Sequence, residues 1–212
     1  MTAAIPPSQT EVLLDLLQQT YPDARCRLEF STPLELLIAT ILSAQCTDER
    51  VNLVTQSLFR KYRTAIDYAT ANPDVLAQDI KSTGFYRQKA ESIQRCCATL
   101  VARYDGEVPP QMEALVQLPG VGRKTANVVL GNAFNQPIGI AVDTHVKRVA
   151  QRLGLTTHTS PDKIEQELMA IVPKTWWTKI SHLLIFHGRA RCKARSPQCM
   201  ACELAHLCPA RA

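Results

Sequence analysis

Residues Leu118-Pro-Gly-Val-Gly-Arg-Lys-Thr-Ala-Asn-Val-Val-Leu130 set a Gly-x-Gly turn directly before an amphipathic run, and they put Lys124 in the first turn of the helix that this run predicts. Gly120 and Gly122 can shape a tight turn whose backbone N–H groups come close to an anion, and the helix N-terminus behind them favours negative charge. The same field disfavours a neighbouring cation. Were the site also partly desolvated, more of Lys124 would stand as the free amine that attacks carbonyl-like carbons. A phosphate cradle and a nucleophile thus share one loop. Further on, the apolar run Ile138-Gly-Ile-Ala-Val142 ends in Asp143-Thr-His-Val-Lys-Arg148, so a carboxylate follows a buried segment and opens a new helix. Asp143 is a candidate acid/base and, just before Thr144, a candidate helix cap. His145 is either a site residue or a hydrogen bonder at the helix start.

The second constellation is sulfur. Cys192, Cys199, Cys202 and Cys208 follow one another as C-x6-C-x2-C-x5-C, and four thiolates so close can enclose one metal or one cluster. Zinc usually takes two short pairs, whereas only Cys199 and Cys202 form such a pair here. Because all four ligands come from one segment, a structural role is expected. Around the first ligand stand Arg189, Arg191, Lys193 and Arg195. Such a cluster of cations suits phosphate contacts that position a duplex without reading its sequence; a solvated basic face is the alternative. Cys26, Cys46, Cys96 and Cys97 are scattered in apolar helical patterns and read as buried thiols acting as small hydrophobes.

The elements that must hold these groups are helical. Glu11–Gln19, Pro33–Ala44, Glu49–Lys61, Pro73–Ile80, Tyr86–Tyr104, Gln111–Val116, Arg123–Asn132, Thr144–Leu153, Pro161–Val172 and Trp176–His187 all carry helical periodicity. Ser31-Thr-Pro33, Asn72-Pro73 and Ser160-Pro161 add start signals, a capping residue with proline in the first turn. No credible strand pair is present, so Ile138–Val142 reads as a buried connector and the fold class as all-α. The chain of 212 residues suffices for one large domain or two smaller ones. A net charge of +5 makes nucleic acid a reasonable partner without deciding it. Met1-Thr-Ala-Ala-Ile-Pro-Pro-Ser lacks the layout of a signal peptide, and no apolar run approaches the roughly 18 residues of a membrane span. A cytoplasmic protein, nucleoid-associated if bacterial, is expected. With no secretory signal, metal is a better reading of the cysteines than disulfides.

The Gly-x-Gly turn, Lys124 and the Val-Asp-Thr-His segment together resemble the endonuclease III family of DNA glycosylases and abasic-site lyases, in which the turn is the hairpin of a helix-hairpin-helix. The resemblance runs from about Phe30 to Cys208. It implies a contiguous six-helix domain over residues 26–137, a second domain of residues 1–25 plus 138–212, and duplex DNA across the cleft between them. It also implies a Schiff-base nucleophile at Lys124, a catalytic carboxylate at Asp143 and a 4Fe-4S cluster on the four cysteines. Gln45, in Leu42-Ser-Ala-Gln-Cys-Thr-Asp48, corresponds to the family's gap-filling glutamine. Phe85 stands where many relatives carry an aliphatic wedge, and an aromatic ring can also unstack a base step. Gly120, Gly122, Arg123, His145, Arg191, Lys193 and Arg195 complete the DNA contacts so implied. The expected activity is bifunctional, removal of oxidised pyrimidines followed by β-elimination, from a chain acting as a monomer.

Other readings differ in particular residues. The superfamily's monofunctional adenine glycosylases typically carry serine where Lys124 stands, a catalytic glutamate in the helix matching Pro33–Ala44, and a further C-terminal domain. Here that helix has only Glu35 at its start, and the sequence runs four residues past Cys208. A relative acting on pyrimidine dimers or thymine mismatches is not distinguished, because pocket lining is not legible in the sequence. A non-catalytic DNA-binding iron–sulfur protein would not need both Lys124 and Asp143.

Overall fold

The computed structural model describes residues 7–211. The stretch Met1–Pro6, part of the run read for its lack of a leader layout, lies outside the described residues. Among those described there is no strand, and no helix is long and apolar enough to cross a membrane. The chain forms two compact units, Cys26–Gln136 and Met1–Arg25 with Pro137–Ala212. Helix α1 (Pro7–Thr20) belongs to the discontinuous unit.

The Cys26–Gln136 unit holds α2 (Pro33–Leu42), α3 (Asp48–Lys61), α4 (Ala65–Ala69), α5 (Pro73–Asp79), α6 (Tyr86–Tyr104), α7 (Met112–Leu115) and α8 (Arg123–Ala133). Its centre is α2, apolar almost all round, with every residue from Leu36 to Leu42 buried. A helix of that composition must be enclosed, and α3, α6 and α8 pack around it. Thr32 caps α2 by accepting from the Glu35 N–H at 3.2 Å, with Pro33 fixing the first turn. Asn72 caps α5 by accepting from Asp74 and Val75 N–H groups. The helical periodicity missed α4. A capping box marks it: Thr64 accepts from the Asp67 N–H, and the Asp67 carboxylate accepts from the Thr64 N–H at 2.9 Å.

The discontinuous unit adds α9 (Thr144–Arg152), α10 (Pro161–Ile171) and α11 (Trp177–Ala190) to α1. Its core joins Leu13, Leu14 and Leu17 to Val146, Val149, Ile164, Leu168, Ile180, Leu183 and Leu184. The segment before α9 is an irregular connector with Ile140 and Val142 buried, as its pattern predicts. Helix α11 packs against α9, and Gly188 lies directly against α9 side chains. A Cβ there would lie 3.0 Å from Arg148 Nη2, 3.1 Å from Val149 Cγ2 and 3.2 Å from His145 Nδ1.

Those contacts decide the sign of a substitution. Alanine in a helix interior gains about 1 kcal/mol over glycine. Overpacking costs about 1–3 kcal/mol, and Arg148 cannot swing aside without losing its bonds to Cys192 O and Gly188 O. We expect Gly188→Ala to lower the midpoint of denaturant unfolding with an unchanged slope. A raised midpoint would show that the arginine yields.

Candidate active site

In the Cys26–Gln136 unit the hairpin is anchored by its apolar residues. Leu118 and Val121 are buried, and the Val121 N–H closes the turn on Leu118 O at 3.1 Å. The two glycines serve different ends. Gly120 has φ +77°, and a Cβ on it would meet Ser92 Cβ of α6 at 3.0 Å. Gly122 has an ordinary extended backbone and open space where a side chain would be, so it keeps the approach to α8 clear. As N-cap it offers no side-chain acceptor, unlike Thr32, Thr47, Thr64, Asn72 and Asp143 at their helices. The N-terminus of α8 is therefore not closed by a cap side chain, as an anion site on a helix end requires. Arg123 and Lys124 occupy the first two helical positions, both exposed. The desolvation that would help activate Lys124 is not present in the protein alone.

Two loops of the same unit carry Gln45 and Phe85, both exposed, Phe85 by 59%. Among the described residues, four other than glycine have left-handed backbones: Gln45, Phe85, Asp105 and Asn135. Aspartate and asparagine tolerate that conformation. Glutamine and phenylalanine do not, and strain of about 1–3 kcal/mol at such positions is a mark of functional loops. Phe85 follows Gly84, whose φ of 71° and ψ of 157° are all but closed to other residues. Beneath both loops lies a residue that the sequence reading missed. Lys89 is buried, and its Nζ donates to Leu42 O and Thr83 O, each at 2.8 Å. Burial pushes its pKa down, opposed by nearby Cys46.

In the discontinuous unit, Asp143 is half-buried and caps α9, its Oδ1 accepting from the Val146 N–H at 2.7 Å. The bond fixes the carboxylate and uses one of its two oxygens. His145, two residues further, places Nδ1 3.2 Å from Arg148 Nη2. Helix α9 also holds the cysteine segment. Arg148 Nε donates to Cys192 O at 3.2 Å. Arg152 donates to Lys193 O at 2.8 Å and Ala194 O at 2.9 Å, and its Nη1 lies 3.3 Å from Cys192 Sγ. Neither arginine was singled out in the sequence, although their spacing of four puts both on one face of α9.

Cys192, Cys199, Cys202 and Cys208 line one cavity of about 200 Å³, and no cysteine of the chain is in a disulfide. Four thiols around one space, with an arginine directed at one sulfur, suit a negatively charged metal–sulfur group. Buried His187 lies beside them, its Nε2 3.7 Å from Cys202 Sγ and its Nδ1 3.1 Å from the Tyr21 hydroxyl. Burial lowers the His187 pKa to about 4 and raises that of Tyr21 to about 12. Neutral imidazole with protonated phenol follows, the satisfied structural histidine that its apolar helix suggests. Of the basic residues, Lys193 and Arg195 are exposed. Arg191 instead turns toward its own loop, where its Nε and Nη2 reach Glu203 Oε1 at 3.1 Å and its Nη1 reaches Gln198 Oε1 at 3.3 Å. Its guanidinium braces the loop from within.

Residues 38–174 match the model of the HhH-GPD superfamily base excision DNA repair proteins, and residues 192–208 match the iron-sulfur binding domain of endonuclease III. The chain is 54% identical to the endonuclease III of Synechocystis sp. (strain ATCC 27184 / PCC 6803 / Kazusa), over 94% of this chain and 91% of that protein. A solved non-covalent endonuclease III–DNA complex superposes with TM-score 0.92 at 51% identity, covering 97% of this chain and 96% of that one. A trapped endonuclease III–DNA covalent intermediate gives 0.93 at 51% identity, covering 97% of each. The chain belongs to the HhH-GPD superfamily of base excision DNA repair proteins and, within it, to the endonuclease III family. It is a DNA glycosylase and AP lyase that carries an iron–sulfur cluster domain.

The double duty of Asp143 can be resolved by stability. Asp143→Ala should lose the cap and about 1 kcal/mol, while Asp143→Asn, an equally good cap, should unfold near wild type. Equal stability of the two variants would show that the cap contributes nothing.

Proposed function

We propose that the enzyme removes oxidised pyrimidines from duplex DNA through a Schiff base on Lys124 and then nicks the strand by β-elimination. The observation that carries this reading is the exposed lysine in the first turn of α8, directly behind a glycine hairpin with an open helix N-terminus. The hairpin holds a backbone phosphate, and the amine attacks C1′ of a nucleotide taken out of the stack. Asp143 assists, either by accepting a proton from the lysine or by stabilising positive charge on the sugar. The base leaves with the C1′–N bond electrons. The lysine nitrogen then expels O4′ from C1′, which takes up a proton as the sugar ring opens, and the resulting imine acidifies the C2′ proton; removal of that proton expels the 3′ phosphate.

Gln45 fills the space left by the extruded base and Phe85 wedges the neighbouring step, roles supported by exposed side chains on left-handed backbones. His145 is read as a contact near the site. The four cysteines hold a 4Fe-4S cluster, one of the groups that a set of four thiolates ligates. It supplies no step of the reaction; it orders the loop that carries Lys193 and Arg195 to phosphates. The partner is double-stranded DNA with damaged pyrimidines or abasic sites, met in the cytoplasm by a monomer.

A duplex panel with thymine glycol, 5-hydroxycytosine, uracil, an abasic site and adenine opposite 8-oxoguanine tests chemistry and substrate together. Base release and borohydride-trapped adducts should appear with the oxidised pyrimidines, and adducts with the abasic site. Lys124→Gln should abolish both while leaving duplex affinity within a few-fold. A normal adduct yield in that variant would remove Lys124 as nucleophile, and a preference for the adenine duplex would reassign the substrate.

Phosphate contacts leave a different trace. Neutral replacement of Lys193 or Arg195 should weaken damaged and undamaged duplex alike and lower the salt slope of binding by about one unit each. Arg191→Gln should instead lower the thermal stability of the cluster absorbance, since its partners are Glu203 and Gln198. A slope loss in that variant with unchanged thermal stability would return Arg191 to the DNA.

A further inference from the structure

Lys89 stands where the helical pattern calls for an apolar side chain. It shares the inward stripe of α6 with Ile93, Cys96, Cys97 and Leu100, all buried. Its side chain is buried as well, with only 6% of the residue exposed, and no carboxylate pairs with it among the described residues. A buried ammonium without a counter-ion is costly to keep. What it gains is two carbonyl oxygens at 2.8 Å, those of Leu42 and Thr83.

Both acceptors close a helix. Leu42 is the last residue of α2, and Thr83 ends the single 3-10 turn Lys81–Thr83. Carbonyls at helix ends lack partners within their own helix, and here one ammonium serves two of them. Gln45 follows Leu42 by three residues, and Phe85 follows Thr83 by two, each exposed on a left-handed backbone. The Lys89 backbone N–H also donates to Phe85 O at 3.0 Å. Lys89 therefore grips the Phe85 loop from both ends and ties it, through one nitrogen, to the root of the Gln45 loop.

We propose that Lys89 is a positioning residue that couples Gln45 and Phe85 into one rigid intercalating pair, so that both enter the base stack in a fixed register. The proposal rests on the gap-filling reading of those two side chains and goes beyond it. Two exposed side chains on separate loops would otherwise each lose conformational freedom on entering DNA, and strained backbones relax unless their surroundings hold them.

The test uses the cluster-loaded full chain. Lys89→Met keeps the length and apolar fit and removes the donors; Lys89→Arg restores donors. If Lys89→Met melts well below wild type or loses cluster absorbance, Lys89→Gln replaces it, a shorter neutral side chain that cannot serve both carbonyls as the ammonium does. Single-turnover β-elimination is measured on one abasic site placed in duplex and in single strand, where nothing has to be unstacked. The ratio of the two rates is compared for wild type, the Lys89 variant, Gln45→Ala, Phe85→Ala and the Lys89/Phe85 double variant. A fall in the ratio between about tenfold and a hundredfold is expected for the Lys89 variant, as for a misplaced catalytic element. Arginine should recover it in part, and the loss in the double variant should be smaller than the product of the two single losses. If Gln45→Ala and Phe85→Ala lower the ratio but the Lys89 variant does not, or its effect multiplies with that of Phe85→Ala, the coupling is overturned and gap filling stands. A normal ratio in both alanine variants overturns the gap-filling reading and the coupling with it.

Discussion

A helix leaves its first N–H groups and last carbonyls without partners in its own ladder, and in an all-helical chain that constraint recurs at every turn of the backbone. In this protein the groups that meet it are the groups around the chemistry. Asp143 satisfies an N–H of α9 and is the proposed catalytic carboxylate. Lys89 satisfies the end of α2 and of the following 3-10 turn. Arg148 takes Gly188 O near the end of α11 while bracing the first cluster cysteine. At α8 the N-cap is a glycine with open space where a side chain would be, so no cap side chain competes with a phosphate for the helix N-terminus. Function here begins where the helix ladder ends.

The cysteine segment solves a related problem by other means. From Cys192 to Cys208 only Leu204 is fully buried, so hydrophobic burial cannot order this stretch. Ordering a residue costs about 1–2 kcal/mol, which a coil of polar loop cannot recover by itself. Two arginines from α9 bond its backbone, and the four cysteines that line one cavity are the proposed ligands of a cluster that would cross-link the rest. The consequence for chemistry is a common platform: the helix that Asp143 caps is the helix that holds the basic loop. A shift of α9 would move both.

Much of this was legible in the sequence, and the exceptions have physical causes. Ten helices were readable because their apolar faces recur with the helical period; α4 was not, although Thr64 and Asp67 of its capping box stand in the sequence. The four cysteines were readable from spacing alone, since ligands close in sequence are close in space. The partners of Arg191 were not, because charge density predicts exposure and says nothing of Glu203, which comes twelve residues later and engages the guanidinium. Arg148 and Arg152 looked like a solvated helix face; their acceptors are backbone carbonyls, which no sequence displays. Lys89 left a signal that went unread, a charge set among Ile93, Cys96 and Leu100 on a stripe that is otherwise apolar.

Gln45 and Phe85 show why a site is harder to read than a fold. Propensity and pattern favour each residue's comfortable conformation, and a folded chain is mostly consistent with them. Neither glutamine nor phenylalanine would be placed on a left-handed backbone by such rules, and both were noticed only through family resemblance. Strain of this kind persists only where surrounding bonds over-determine the backbone. Gly84, the Phe85 O bond to the Lys89 N–H and the ammonium beneath both loops are those bonds. The places where local rules fail are thus supported by residues that also break a rule, a glycine between two elements and a lysine in a core. A substitution that made either of them locally more comfortable would remove what holds the pair in place.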